Sequence, residues 1–370
     1  MARATSTRMA WRIKTLREEK GLTQDQVAAS MGFASRQTVA DIEAGKRRIQ
    51  PEELIRLTEI FSVDLEHLTD PFRLVGEGRF NFRTGDVSAD VIDEFEAQAG
   101  RWIATYRELR GEAGLRSSRL THKLDLSERS TFEDAQEAGE QVHALWNLGD
   151  VPAVRLPDAI REELDTEVLF VDAPPGLSGA AIELPGLNAI LINRSEPAGR
   201  RNFDLAHELF HLLTWEAMPP TRVEAREIPR RKGNRVERLA ENFAGALLMP
   251  GQVLRDRWKD RGDEELTDWL NRTATDLQVT ALALKWRLVA ADLLAKPEAQ
   301  RIDDRGLAAN GGGAQAPPPP RFSPDFVARI HDAVEGGRLS LAKATRLLGV
   351  TPSAFAELCD TYGHDLSYEL

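Results

Sequence analysis

One stretch constrains this chain more than any other: Phe203-Asp-Leu-Ala-His-Glu-Leu-Phe-His-Leu-Leu-Thr-Trp215. It holds no Gly or Pro, and its apolar residues recur at a helical period, so it predicts a helix. His207 and His211 stand four positions apart. One helical turn is about 3.6 residues, so both imidazoles leave the same face and can share one metal ion. Glu208 lies beside them, where a carboxylate can take a proton from a metal-activated water without itself being a ligand. With seven histidines and 59 acidic residues in 370, random placement of His-acidic-x-x-His gives about 0.02 occurrences. The competing structural reading is an amphipathic core helix with two surface histidines.

The His-Glu-x-x-His spacing is that of zinc peptidases, which need three protein ligands and one open position. A third ligand is therefore expected from a second helix downstream. Residues 236–250 supply the pattern: Val236, Leu239, Ala240, Phe243, Ala244, Leu247 and Leu248 recur helically, and Pro250 ends the run. Glu237 is the candidate ligand. Glu241, one turn on, is placed to hydrogen-bond a ligating histidine from behind. Either glutamate also fits a plain solvated helix face.

Leu-Ala-His-Glu-Leu-Phe-His-Leu-Leu (205–213), followed by Glu-Arg-Leu-Ala-Glu-Asn-Phe-Ala-Gly-Ala-Leu-Leu-Met-Pro (237–250), resembles the ImmA/IrrE family of bacterial and phage metallopeptidases. The lead-in at 191–204 resembles it too, and the likeness covers roughly residues 130–290. It implies a zincin-like, gluzincin-type fold with His207, His211 and Glu237 on zinc and Glu208 as general base. It also implies a protein substrate, a repressor or another regulator. The chain departs from the family at Ala240-Glu241, where Ala-Asn is usual. Manganese or another divalent ion also suits the ligand set.

The first 50 residues hold ten Lys/Arg against five Asp/Glu, a balance of +5 in a chain of net charge −11. The remaining 320 residues therefore carry −16, and such asymmetry points to a DNA-contacting head on an acidic body. Helices are expected at 9–20, 23–30, 36–43, 51–61 and 65–68, with Thr23 and Ser35 as caps and Gly21 and Gly32 as breaks. This segment resembles the XRE family of phage-repressor-like helix-turn-helix domains. The resemblance makes 36–43 the recognition helix, with Ser35, Arg36, Gln37 and Thr38 facing the major groove of double-stranded DNA. Gln24 and Lys46-Arg47-Arg48 would touch phosphates. A fold of this kind also serves protein contact.

The expected organisation is mainly α and multidomain: an all-α helix-turn-helix domain at 1–72, a helical connector at 73–128 and an α+β metallopeptidase domain with a small sheet at 129–305. A Gly/Pro-rich linker at 306–322 and a small helical module at 323–370 follow. Phe72–Phe82 reads as connector. A long helix at 87–110 is either a dimerisation arm for a homodimer or a spacer packing on the peptidase. Another helix is expected at 131–147. Residues 151–195 turn to short β-rich runs at 168–171, 179–183 and 189–193. In zincins an edge strand binds substrate backbone as an added strand, and 179–183 is the candidate. The basic stretch 219–234 reads as an exposed loop between the metal-binding helices. One cysteine, Cys359, excludes an internal disulfide and a Cys-based metal site. No apolar run reaches transmembrane length and the N-terminus lacks a signal peptide's apolar region, so the expected location is the cytoplasm, with no membrane partner.

Overall fold

The structure is a computed structural model that describes residues 2–75, 79–84, 87–112, 123–184, 186–219, 223–225, 235–307 and 317–367. Side chains are described from residue 8 onward, apart from those of Arg79, Glu112 and 223–225. Most of the basic loop at 219–234 and of the linker at 306–322 therefore lies outside the described residues. The chain divides into two compact units, residues 1–79, 93–116 and 325–370 in one and 80–92 with 117–324 in the other.

The first unit begins with α1 (Ala2–Glu19), α2 (Gln24–Met31), α3 (Arg36–Glu43), α4 (Pro51–Phe61) and α5 (Leu65–Thr69). The caps do what their residue types dictate. Thr23 accepts from the Gln26 amide while Gln26 reaches back, closing a capping box, and Ser35 accepts from the Gln37 amide. Gly32 ends α2 at φ 72°, a left-handed conformation that glycine adopts without a Cβ clash. Ile13, Leu16, Val27, Met31, Val39, Ile42, Leu57 and Phe61 form the core, drawn from all of the first four helices.

The second unit is α+β. Its sheet has the order β2-β4-β3-β1-β5, where β1 is Arg79–Thr84, β2 Thr166–Val171, β3 Leu177–Leu184, β4 Leu187–Asn193 and β5 Val223–Ala225. β2 runs parallel to β4, β3 antiparallel to β4, and β1 parallel to β5 with Phe82 opposite Val223. The strands β2 to β4 are buried almost throughout, which is why they read as continuous apolar runs. Phe322 closes the β2 edge, its amide donating to the Phe170 carbonyl. Helices α6 (Ala89–Glu112), α7 (Phe132–Leu145), α8 (Pro152–Leu164), α9 (Ala198–Thr214), α10 (Arg235–Leu248), α11 (Gly251–Lys259), α12 (Leu266–Leu277), α13 (Ala281–Ala290) and α14 (Lys296–Ala299) follow in chain order, α6 lying mostly in the first unit. α9 packs on β3 and β4, and α10 packs between α9 and α7.

Two elements differ from expectation. Residues 152–164, expected in a strand-rich region, form α8: Ala153, Leu156, Ile160 and Leu164 line one buried helical face despite Pro157. Pro152 at the first helical position costs nothing there, because that N–H has no intrahelical partner. Residues 79–84, expected within and just beyond the connector, form β1, where Phe82 and Arg83 are buried inside the sheet. As a result 179–183, the expected edge, lies inside β3 and is paired on both sides.

The chain ends with α15 (Pro324–Glu335), α16 (Leu341–Leu348) and α17 (Pro352–Thr361). The apolar face of α6 is used by these helices: Trp102 Nε1 donates to the Leu348 carbonyl at 3.2 Å, and Gln98 Nε2 to that of Leu347 at 2.9 Å. Tyr106 packs on Phe326 with ring centroids 5.7 Å apart. The fold is thus mainly helical, with one small mixed sheet. Among the described residues no helix is long and apolar enough to cross a membrane.

Candidate metal centre and nucleic-acid interface

α9 is positioned at both ends. Its first turn lies so close to the α12–α13 junction that a Cβ on Gly199 would stand 2.4 Å from the Val279 carbonyl carbon. Its apolar face is locked by Leu205, Leu209, Phe210 and Leu213 in the core. Phe210 meets Phe243 of α10 at 5.6 Å between centroids. Burying each such ring contributes about 1.5–3 kcal/mol, so the two helices are held where their polar residues converge.

The converging residues are His207, His211 and Glu237. His207 Nε2 lies 3.0 Å from His211 Nε2 and 3.1 Å from Glu237 Oε2, and His211 Nε2 lies 3.6 Å from Glu237 Oε1. Together they form the one group among the described residues whose ligand atoms all approach within 4.8 Å. A tetrahedral zinc ion with bonds of about 2.0–2.1 Å has ligand–ligand separations of about 3.3–3.4 Å, so the three atoms fit it. Burial pushes the His207 imidazole well below its ordinary pKa, and it lowers His211 to about 3, with the charge of His207 adding. Both rings are therefore neutral and carry the lone pairs a cation needs.

Glu208 is fully buried, and the Ala181 backbone N–H of β3 is the hydrogen-bond donor that bears on its carboxylate. Gly179 of β3 lies over it: a Cβ there would be 3.4 Å from Glu208 Cγ. Burial holds the Glu208 carboxyl well above the usual range, Arg83 opposes this, and Glu237 and Asp204 reinforce it. Glu241, expected behind a ligating histidine, instead lines a cavity of about 360 Å³ with Arg83, Asp204, Trp286 and Leu282. His207 Nδ1 has no hydrogen-bond partner among the described residues.

Arg83 and Asp204 were not singled out in the sequence. Asp204 stands one turn before Glu208 on α9, and its Oδ1 lies 3.0 Å from Arg83 Nη1, with side chains 2% and 7% exposed. Burial works against the guanidinium, but Asp204, Glu208, Glu241 and Glu237 outweigh it and hold Arg83 above its ordinary pKa. The available signal was Asp204 at the i−4 position from Glu208; nothing local pointed to Arg83, some 120 positions upstream.

In the first unit, Ser35, Arg36 and Gln37 are exposed at the start of α3 and Thr38 is half-buried. Gln37 Nε2 donates to Asp41. Gln24 Nε2 donates to Glu43 Oε2 at 2.8 Å, and Arg17 reaches the same carboxylate with Nε at 2.6 Å, so α1, α2 and α3 are tied at one point. Lys46 and Arg48 are exposed. Arg47 is folded onto Glu53 at 2.7 Å and 2.9 Å and lies over Phe33.

The fold and site define a helix-turn-helix protein that carries a buried two-histidine, one-carboxylate centre on a small α+β domain. Residues 161–289 match the family model described as the IrrE N-terminal-like domain, Peptidase M78, and residues 13–68 match that of the helix-turn-helix domain. The chain is a fusion of an XRE-type DNA-binding domain with an IrrE/ImmA-type metallopeptidase-family domain. No curated protein and no solved structure was found to match it.

Proposed function

We propose that the chain is a DNA-bound transcriptional regulator with a zinc-dependent endopeptidase that cuts a regulatory protein such as a repressor. The observation that carries this reading is the convergence of His207, His211 and Glu237, whose ligand atoms all lie within 4.8 Å of one another, with Glu208 beside them. A purely structural metal site has no use for Glu208. His207, His211 and Glu237 would hold the ion, and a bound zinc ion supplies Lewis acidity, lowering the pKa of a water and polarising a carbonyl. Glu208 takes the proton from the attacking water and returns it to the leaving amine. The apolar packing around α9 and α10 excludes bulk water from that transfer. The helix-turn-helix domain brings the peptidase to double-stranded DNA through Arg36, Gln37, Lys46 and Arg48.

A second reading is a regulator whose zincin domain senses or scaffolds without cutting, and the burial of the four site residues speaks for it. Metal content comes first: about one zinc per chain is expected, lost in His207→Ala. A wild type that takes up no zinc when supplied with it refutes the metallopeptidase reading. Glu208→Gln separates the two readings, because it keeps the metal and removes the proton acceptor. Protein termini in cells expressing wild type are expected to include new ones absent with Glu208→Gln. Identical termini and identical regulation in both strains favour the sensor.

A further inference from the structure

A peptide to be cut must bring its scissile carbonyl to Glu208, and an extended chain does so most simply by adding as a strand to a sheet edge beside it. The strand lying over Glu208 is β3, through Gly179. Both edges of β3 are taken, one by β4 and the other by β1. β1 comes from outside the region matched as peptidase family: it starts eleven residues after the matched helix-turn-helix region ends and some 80 before the matched peptidase region begins. From it Arg83 reaches the interior and pairs with Asp204 one turn before Glu208. Arg83 Nε has no hydrogen-bond partner among the described residues, so Asp204 holds the guanidinium by charge more than by a full set of bonds. With β1 in place, His207, Glu208 and His211 are fully enclosed.

We propose that β1 is an internal pseudosubstrate, occupying on β3 the track of the peptide substrate, and that Asp204 is the specificity-determining residue. Asp204 then selects a peptide with an arginine or lysine at the place where Arg83 now sits. Glu241 is a second carboxylate on the same cavity, where Arg200 and Arg287 stand against it, and Trp286 and Leu282 supply apolar wall for the aliphatic stem of such a side chain. A substrate must displace β1, so cleavage waits on release of a strand joined directly to the DNA-binding domain. A strand held in cis competes at an effective concentration in the millimolar range, which keeps the site shut against weak peptides.

The proposal rests on the peptidase reading but is tested by binding, which needs no turnover. The probe is a fluorescent synthetic peptide of residues 79–88 and its counterpart with Met in place of Arg83, titrated by anisotropy into the zinc-supplied full chain. Arg83→Met loosens the cis strand, and this variant is expected to bind the arginine peptide at least tenfold more tightly than wild type and to prefer it over the methionine peptide. In Arg83→Met/Asp204→Asn that preference is expected to vanish. Equal binding of the two peptides with Asp204 present, or no gain over wild type, overturns the proposal. Should the variants fold poorly, hydrogen exchange on wild type decides. A few millimolar arginine peptide is expected to speed exchange at residues 80–84 and the methionine peptide to leave it unchanged, while no effect of either overturns the proposal. Binding with discrimination but no Glu208-dependent cleavage refutes the peptidase reading alone; cleavage without discrimination refutes only this proposal.

Discussion

Gly139 on α7 lies directly against the backbone of α10. A Cβ there would stand 2.5 Å from the Phe243 carbonyl oxygen, 2.9 Å from the Leu247 nitrogen and 3.1 Å from Ala246 Cβ. All three are on α10, two of them are backbone, and none can swing aside. Gly139→Ala therefore drives α7 from α10 by roughly 0.7 Å, and a gap of that size forfeits a quarter to a half of the dispersion well of the atoms around it. Overpacking of this kind costs about 1–3 kcal/mol, and alanine's better helix propensity returns about 1 kcal/mol. The cost falls at the upper end because Ala135, Ala138 and Val142 separate from α10 with it, leaving a net loss of about 2 kcal/mol. Urea unfolding followed by tryptophan fluorescence reads this, since five of the seven tryptophans lie in the second unit. With a slope of about 2 kcal/mol per molar urea, the midpoint should fall by about 1 M. Gly111→Ala is the control: Gly111 is exposed on α6 with nothing within 4 Å of its added Cβ. It should gain about 0.5–1 kcal/mol from helix propensity and chain entropy. A Gly139→Ala protein as stable as wild type would refute the reasoning, since the helices would then separate without cost.

Burial pushes the Cys359 thiol up to about 11, with Asp360 and Glu335 adding. Only the thiolate is nucleophilic, so at pH 8 the native thiol should react with a disulfide reagent about two orders of magnitude more slowly than in urea, and the native rate should climb as pH rises towards 11. Arg287 Nε donates to the Met249 carbonyl and its Nη atoms to Gln136 and Glu140, joining α13 to α7 and the end of α10. Arg287→Ala strands the buried Met249 carbonyl and frees the half-exposed Gln136 and Glu140, and should cost about 1–3 kcal/mol in the same urea assay. Glu43→Ala removes the carboxylate shared by Arg17 and Gln24. The loss should be about 2–4 kcal/mol in thermal unfolding of the helix-turn-helix unit, with weaker DNA binding because α2 and α3 lose their common tie.

Local chemistry settled a good deal in advance. A helix with His207, Glu208 and His211 on one face follows from spacing alone, because the period of an α-helix is set by its own hydrogen bonds. α3, α4, α15 and α16 begin at the residues where caps and prolines place them, and α16 ends where Gly349 stops it. Tertiary structure decided the rest, because it depends on contacts between residues far apart in the chain. Glu237 and Glu241 share one helix and one side-chain chemistry, and only the packing of α10 on α9 brings Glu237 to the histidines while leaving Glu241 in the cavity. α8 was hidden by its prolines until its apolar face found the sheet. β1 carries an alternating pattern, Arg79-Phe-Asn-Phe-Arg83, too short to stand out within a connector; it becomes a strand because β3 offers it an edge. The Arg83–Asp204 pair exists only once that strand is in place, since the two residues are far apart in the chain and meet only where β1 comes beside α9.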